Sequence, residues 1–416
     1  MPQLAPQLSK LLFTGSITKQ GSHWVVPDDV TIPVISGDGI GPEITTQAER
    51  LVQAAVQKAY GNKRAITWLP IIAGRKAEAS GQGLLPQATI DAFKQHRFIV
   101  KAPLETPIGE GFRSLNVTLR QLFDLFACIR PFRLFPGVQS PLKKGNPDIV
   151  IFRENTEDVY QGVEFPKDSD GAKRLIALLQ GEGHTIRPDS GLGIKPISEF
   201  ASKRLIEKAF RFAIDNHRPS VTIVHKGNIM KFTEGAFLNW AKEVAKTQFP
   251  NEIILPEQFK TEYGGDFKKI PPGKVLFQER IADAMFQDAI QNPEWHSVIV
   301  TMNLNGDYLS DAVAATVGGL GMAPGANIGD NYAMFEATHG TAPDIAGQNK
   351  ANPTAMFLTM VMMLNEMGWH EAATAMVKAI EKALSEQQMT GDLARSIPGV
   401  KALGCSEYTD QVIQRL

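Results

Sequence analysis

Short apolar runs, each closed by a polar or glycine-rich turn and followed by a stretch of 3.6-residue periodicity, recur along the chain and predict buried strands alternating with helices. Thr31 to Ser36 reads as a strand entering the loop Gly37 to Ile44 and then a helix to about Tyr60. Phe98 to Pro103 is a second strand, and the strand starting at Asp148 ends in a polar crowd of Arg153, Glu154, Asn155, Glu157, Asp158 and Tyr160. A helix from Ser198 to Ile214 has Leu205, Ile206, Ala209, Phe210 and Ala213 on one face, and the strand from Val221 delivers Lys226 into a glycine turn. Arg280 to Ile290 is helical, Ser297 to Asn303 is a buried strand, and a helix is expected from near Tyr308. Tyr332 to Gly340 holds another strand; an apolar helix covers Thr354 to Met367, and a last helix has Ala372, Met376, Val377, Ile380 and Leu384 on one stripe. Lys167 to Pro196 and Phe249 to Lys274, rich in Gly, Pro and charge, read as excursions from the core. The alternation predicts an α/β protein.

Composition narrows the partners. Over 416 residues, 43 Lys plus Arg nearly balance 44 Asp plus Glu, so no global field recruits nucleic acid or an anionic membrane. An anionic ligand must be held by a local cluster. Cys128 and Cys405 are far apart and outside any CxxC spacing, which excludes a disulfide scaffold and fits a reducing, cytoplasmic compartment. The Thr354 to Met367 run is too short to cross a bilayer. The first residues lack the basic and apolar regions of a secretory signal, and no Arg precedes Arg50, against a mitochondrial transit peptide.

Chemistry concentrates in a few places. Asp307 and Asp311 stand one helical turn apart after an apolar strand, a spacing that turns two hard oxygen ligands toward one point and suits Mg²⁺ or Mn²⁺. The plainer alternative is an N-cap with a solvated neighbour. The loop at Gly37 has the spacing GxGxGPE, not GxGxxG, and is as well read as a tight turn. Arg113, Arg120, Arg130 and Arg133 are interleaved with apolar residues, and Arg120 sits in a helical pattern where it either snorkels outward or turns into a cleft. Lys226, lowered in pKa by burial or a cationic neighbour, becomes a usable base; otherwise it is a surface lysine. The Gly/Pro turn Thr338 to Pro353, with His339 alongside, offers amides to a pyrophosphate.

Taken in order, GDGIGPE, RSLNVTLRQ, IFRENTEDVYQG, VHKGNIMKFTEG, NLNGDYLSDA and EATHGTAPDIAG resemble the β-decarboxylating dehydrogenases, most closely the bacterial homodimeric isocitrate dehydrogenases, over nearly the whole chain after about residue 30. The resemblance implies a large α/β domain (1–125 and 318–416) and a small one (126–157 and 200–317) sharing a sheet, with a dimer clasp over 158–199. It implies that Arg120, Arg130 and Arg153 hold two carboxylates of isocitrate, that Ser114 and Asn116 contact the γ-carboxylate, and that Asp307 and Asp311 bind Mg²⁺ or Mn²⁺ with Asp283 of a second copy. Lys226, also given in trans, is the implied base and Tyr160 the implied acid. The coenzyme residues implied are Glu105, Thr106, His339, Gly340, Thr341, Ala342, Asp344, Ile345, Asn352, Gly391 and Arg395.

Departures from the NADP-using bacterial enzymes bear on the coenzyme. Those enzymes are expected to carry Lys and Tyr where Asp344 and Ile345 stand, and Tyr at Gly391; an aspartate accepts from ribose hydroxyls and repels a 2′-phosphate. Asp344, Ile345, Ala351 and Gly391 therefore lead to an expectation of NAD, while Arg395 keeps the NADP pattern and Glu105 replaces a typical threonine. The alternatives are the same reaction with NADP, then isopropylmalate or homoisocitrate oxidation, then a non-catalytic regulatory subunit; intact Tyr160, Lys226, Asp307 and Asp311 count against the last.

Overall fold

The sequence FIVK ends in a charge because of where its register places it. In the computed structural model, which describes residues 15–21, 23–105, 114–142 and 145–416, Phe98–Lys101 is a fully buried strand that runs parallel to Ala333–Glu336, with Lys101 opposite Glu336. Two compact units are present, one formed by the chain up to Phe152 with Phe286–Ser297 and Leu309–Leu416, the other by Arg153–Met285 and Val298–Tyr308.

In the first unit the strands lie in the order Ala65–Ile71, Asp29–Ile35, Phe98–Lys101, Ala333–Glu336, Ala326–Ile328 and Ala127–Arg133. The first four run parallel, and the short Ala326–Ile328 strand is antiparallel to both of its neighbours. Helices Gly41–Tyr60, Thr354–Glu366, His370–Ser385 and Cys405–Ile413 contribute to one apolar core, in which Ile44, Leu51, Met356, Met360, Met376 and Val412 are buried. The Thr354–Glu366 helix is buried along most of its length, as its sequence predicts, and no helix among the described residues is long and apolar enough to cross a membrane. Cys128 and Cys405 are buried free thiols.

In the second unit four parallel strands stand in the order Ile253–Ile254, Val275–Ile281, Ser220–His225 and Val298–Thr301, with helices Glu199–Asp215 and Glu234–Gln248 among its elements. Parallel strands aim their carboxyl ends one way, and His225 is level with Ile281, so the residues that follow, Lys226 and Asp283, emerge together.

The expected elements recur, with corrections. The helix expected near Tyr308 is Asn303–Thr316, five residues longer at its start. The polar NLNGD segment is held helical by tertiary bonds: Leu304 N–H donates to Asp158 Oδ2 at 2.9 Å, and Asn303 Oδ1 accepts from Arg153 Nε at 2.9 Å. The excursion at 167–196 contains a helix, Asp170–Gly181, whose first turn is capped by Ser169 Oγ accepting from Ala172 N–H. Phe249–Lys274 likewise contains the helix Pro256–Thr261. The strands Ala65–Ile71, Val275–Ile281 and Ala326–Ile328 and the helices Gln87–His96 and Cys405–Ile413 have no counterpart in the sequence reading.

Candidate functional site

Strand ends and the first turns of helices bring together two groups of the expected residues, one in each unit. In the first unit a cavity of about 150 Å³ is lined by Lys101, Asn116, Arg120, Arg130, Glu336 and His339, among others. Arg120, on the helix Leu115–Leu122, turns inward rather than snorkelling: it is 7% exposed and donates from Nη2 to Glu336 Oε1 at 2.8 Å. Lys101 Nζ lies 2.6 Å from the other oxygen of Glu336, and Asn327 Nδ2 donates to Oε1 at 2.8 Å. Burial alone would raise the Glu336 carboxyl, but the Lys101 and Arg120 charges overcome it and hold the group far below the usual carboxylate range. Arg130 is buried, contacts Ser310 Oγ, and has Nη1 4.0 Å from Asp311. Asn116 Oδ1 and His339 Nε2 are buried without hydrogen-bond partners among the described residues, so both are available to a ligand.

Lys101, Asn327 and Glu336 are missing from the sequence reading. Their signal is present: Lys101 and Glu336 each put a charge on the last residue of an otherwise apolar, buried strand.

In the second unit Asp307 is the meeting point. Its Oδ1 accepts from Arg153 Nη1 at 2.5 Å and its Oδ2 from the Tyr160 hydroxyl at 2.7 Å, while the Arg153 guanidinium lies 5.1 Å from the centre of the Tyr160 ring. Arg153 is 1% exposed. Its side chain runs against Gly306, where a Cβ would sit 2.6 Å from Arg153 Cγ and 2.8 Å from Arg153 Cβ. Alanine in a helix interior is ordinarily better than glycine by about 0.5–1 kcal/mol, but here Gly306→Ala is expected to destabilise by about 1–3 kcal/mol through overpacking. A denaturant midpoint at or above the parent's would contradict it.

Lys226 and Asp283 pair with each other at the strand ends, and the hydrogen bond from the lysine ammonium lowers the aspartate's pKa. Asp307 and Asp311 lie on one helix a turn apart, Asp311 being exposed. No group of three or more acidic, His or Cys side chains placed to hold a metal ion forms among the described residues of one chain. The carboxylates present are hard oxygen donors, which fit Mg²⁺ or Mn²⁺ rather than a softer metal. Ser114 stands at the start of the Leu115–Leu122 helix. Thr106 and Arg113 lie outside the described residues.

The glycine loops dock on one another. Ile40 N–H donates to the Thr341 carbonyl at 2.9 Å, and a Cβ on Gly39 would lie 2.0 Å from that oxygen, so the glycine at φ +56° serves close backbone approach. Beyond it, Gly340 faces open space and Ala342 is left-handed at φ 39°. Burial and the Lys101 charge keep the His339 imidazole below its ordinary pKa. Asp344 and Arg395 are exposed; Asn352 is buried and donates to Asp392 at 2.9 Å. Gly391 has room for a larger residue, with Ala402 Cβ 3.7 Å from a Cβ built there. Glu105 forms an ion pair with Arg75, and its N–H donates to Asp38 Oδ2 at 3.0 Å. An orphaned ring nitrogen beside an open glycine loop fits a dinucleotide.

Residues 31–412 match the family model described as isocitrate/isopropylmalate dehydrogenase. The chain belongs to the isocitrate/isopropylmalate dehydrogenase family.

This family member is 48% identical over 402 residues, 96% of each chain, to an isocitrate dehydrogenase [NADP] of Archaeoglobus fulgidus. It is 48% identical over 399 residues, 94% of each chain, to an isocitrate dehydrogenase [NADP] of Pseudomonas aeruginosa. Among solved structures it is similar to an isocitrate dehydrogenase from Methylococcus capsulatus, with a TM-score of 0.77 and 34% identity over 93% of this chain and 99% of the other. The expected α/β family fold stands. The expected NAD-type loop draws no support from these relatives, which are named for NADP.

Proposed function

We propose that this chain is an isocitrate dehydrogenase that oxidatively decarboxylates isocitrate to 2-oxoglutarate and CO₂. The observation that carries it is Asn116, whose buried amide lines one polar cavity with the buried Arg120 and Arg130: the arginines suit two carboxylates, and the amide suits a third and not an isopropyl group. In this reading Arg120, Arg130 and Arg153 orient the substrate's carboxylates, and Ser114 and Asn116 contact the third. Lys226 takes the hydroxyl proton and Tyr160 returns one to the enolate carbon after CO₂ leaves. Asp307 and Asp311, with Asp283 of a second copy, would hold Mg²⁺ or Mn²⁺, and Lys226 would likewise serve the neighbouring subunit's site, making the enzyme a homodimer. Lys226 and Asp283 emerge side by side, which suits their joint presentation to a neighbour. When bound, the metal supplies a Lewis acid and the nicotinamide a hydride acceptor.

The relatives' names favour NADP as coenzyme. NAD is the second reading, favoured by one observation: an exposed carboxylate, Asp344, in the loop that follows His339. Initial rates with isocitrate and Mg²⁺, taken with each coenzyme, separate the two. A kcat/KM at least about tenfold higher with NADP is expected on the first reading, worth about 1.4 kcal/mol of discrimination, and the reverse ratio would assign NAD through Asp344. Isopropylmalate should be turned over at least about tenfold less efficiently than isocitrate; equal rates would overturn the substrate assignment.

A further inference from the structure

Tied to the backbone beside Tyr160 and at Lys226 is a buried ionic knot that the proposed reaction does not use. Lys195, in the segment after the short strand Leu192–Gly193, sends its ammonium inward to within 3.0 Å of Asp158 Oδ1 and 2.8 Å of Glu234 Oε1. Both carboxylate side chains are fully buried, and the lysine side chain is 18% exposed. Each carboxylate also holds a backbone amide that matters. Asp158, two residues before Tyr160, accepts from Leu304 N–H at 2.9 Å, three residues before Asp307. Glu234 Oε2 accepts from Lys226 N–H at 2.5 Å and from Asn305 Nδ2 at 2.9 Å. Asp158 is itself held left-handed at φ 70°, and its N–H donates to the carbonyl of Pro196, next to Lys195, at 3.0 Å.

We propose that Lys195 is a positioning residue for the reaction: through Asp158 it sets the Tyr160 turn and the start of the Asp307 helix, and through Glu234 it sets the Lys226 backbone. Two fully buried carboxylates converging on one point repel unless a cation neutralises them, and Lys195 is the cation in contact with both. Burial works against its charge, but Glu234 and Asp158 outweigh burial and keep the ammonium above its ordinary pKa, so the tie is permanent at working pH. One lysine from the 158–199 segment thus supports the proton donor of its own site and the proton acceptor that would serve the neighbouring subunit's site, neither of which it touches in the described contacts. The inference rests on the roles proposed above for Tyr160 and Lys226.

The test uses the full chain. Lys195→Met is expected to lower kcat for isocitrate at least about tenfold with KM within about threefold, because misplacing proton-handling groups costs turnover more than substrate affinity. Amide hydrogen exchange should quicken at Lys226 and Leu304 by at least about tenfold while the Val298–Thr301 strand keeps the parent's rates. Asp158→Asn, which tolerates the left-handed backbone, is a second variant expected to move in the same direction, and it carries the test if Lys195→Met does not fold. A kcat within about twofold of the parent in the folded variants overturns the proposal. So does a fall in kcat with unchanged exchange at those amides, or faster exchange spread over the whole unit. If the parent chain oxidises no isocitrate with either coenzyme, the functional reading has failed, whereas exchange at Lys226 and Leu304 still decides whether Lys195 is the tie.

Discussion

Tyr160→Phe is expected to lower kcat for isocitrate by about 10²–10⁴-fold, the range a positioned general acid supplies, with KM changed by no more than about threefold. The geometry makes the variant clean. The phenol donates to Asp307 Oδ2 at 2.7 Å while its ring lies beside the Arg153 guanidinium, 5.1 Å from centroid to Cζ. Phenylalanine keeps the ring contact and loses only the hydroxyl and its proton. Asp307 retains its bond to Arg153, so the carboxylate is not left alone and the fold should hold, with a thermal midpoint within a few degrees of the parent's. A fall in kcat of less than about fivefold would remove Tyr160 from the proton pathway. An unchanged kcat with a raised KM would make it a substrate contact.

Glu336→Gln is expected to destabilise the chain by about 3–5 kcal/mol at pH 7, the cost of stranding buried charges. Lys101 is 1% and Arg120 7% exposed, and Glu336 is the carboxylate that pairs with both. Glutamine fills the same volume and can still accept one hydrogen bond, so the loss reports charge. The sign of the pH dependence follows from the direction of the shift. Glu336 ionises in the folded state far below its ordinary value of 4.5, so its contribution is complete above that value and fades as pH falls toward the folded one. The gap between parent and variant should therefore be constant from neutral pH down to about 5 and narrow below about 4.5. Adding Lys101→Met should restore part of the stability, since it removes one stranded cation. Denaturant unfolding of the three proteins checks this, and a gap below about 1 kcal/mol at pH 7 would show that solvent reaches the pair.

What the sequence discloses and what it hides divide along physical lines. Runs such as SVIVT and VTIVH, buried on both faces, leave a local signature that needs no partner to be read. Ala65–Ile71 leaves a weaker one, because it is a half-exposed edge strand with Pro70 in it. Val275–Ile281 changes character at Gln278, where the apolar run turns polar. The helix start at Asn303 was hidden for another reason: Asn, Gly and Asp favour turns locally, and only bonds from Asp158 and Arg153, some 150 positions away, make them helical. The arginines and aspartates of the site were legible through the order of motifs. Lys101, Glu336 and Lys195 were not, since their importance lies in partners that come from distant parts of the chain.

The first unit also carries its own chemical gauge of breathing. Met322, Met334, Met356, Met360, Met363, Met376 and Met389 are each no more than 2% exposed, so their thioether sulfurs are shut away from a dissolved oxidant. Peroxide can reach them only when the unit opens, and each sulfoxide formed places a polar, chiral group where a soft apolar one had filled the core. Oxidation is thus cumulative: one excursion that is captured makes the next more frequent, so the rate at which these buried sulfurs are oxidised under peroxide reads how often the core of the unit opens.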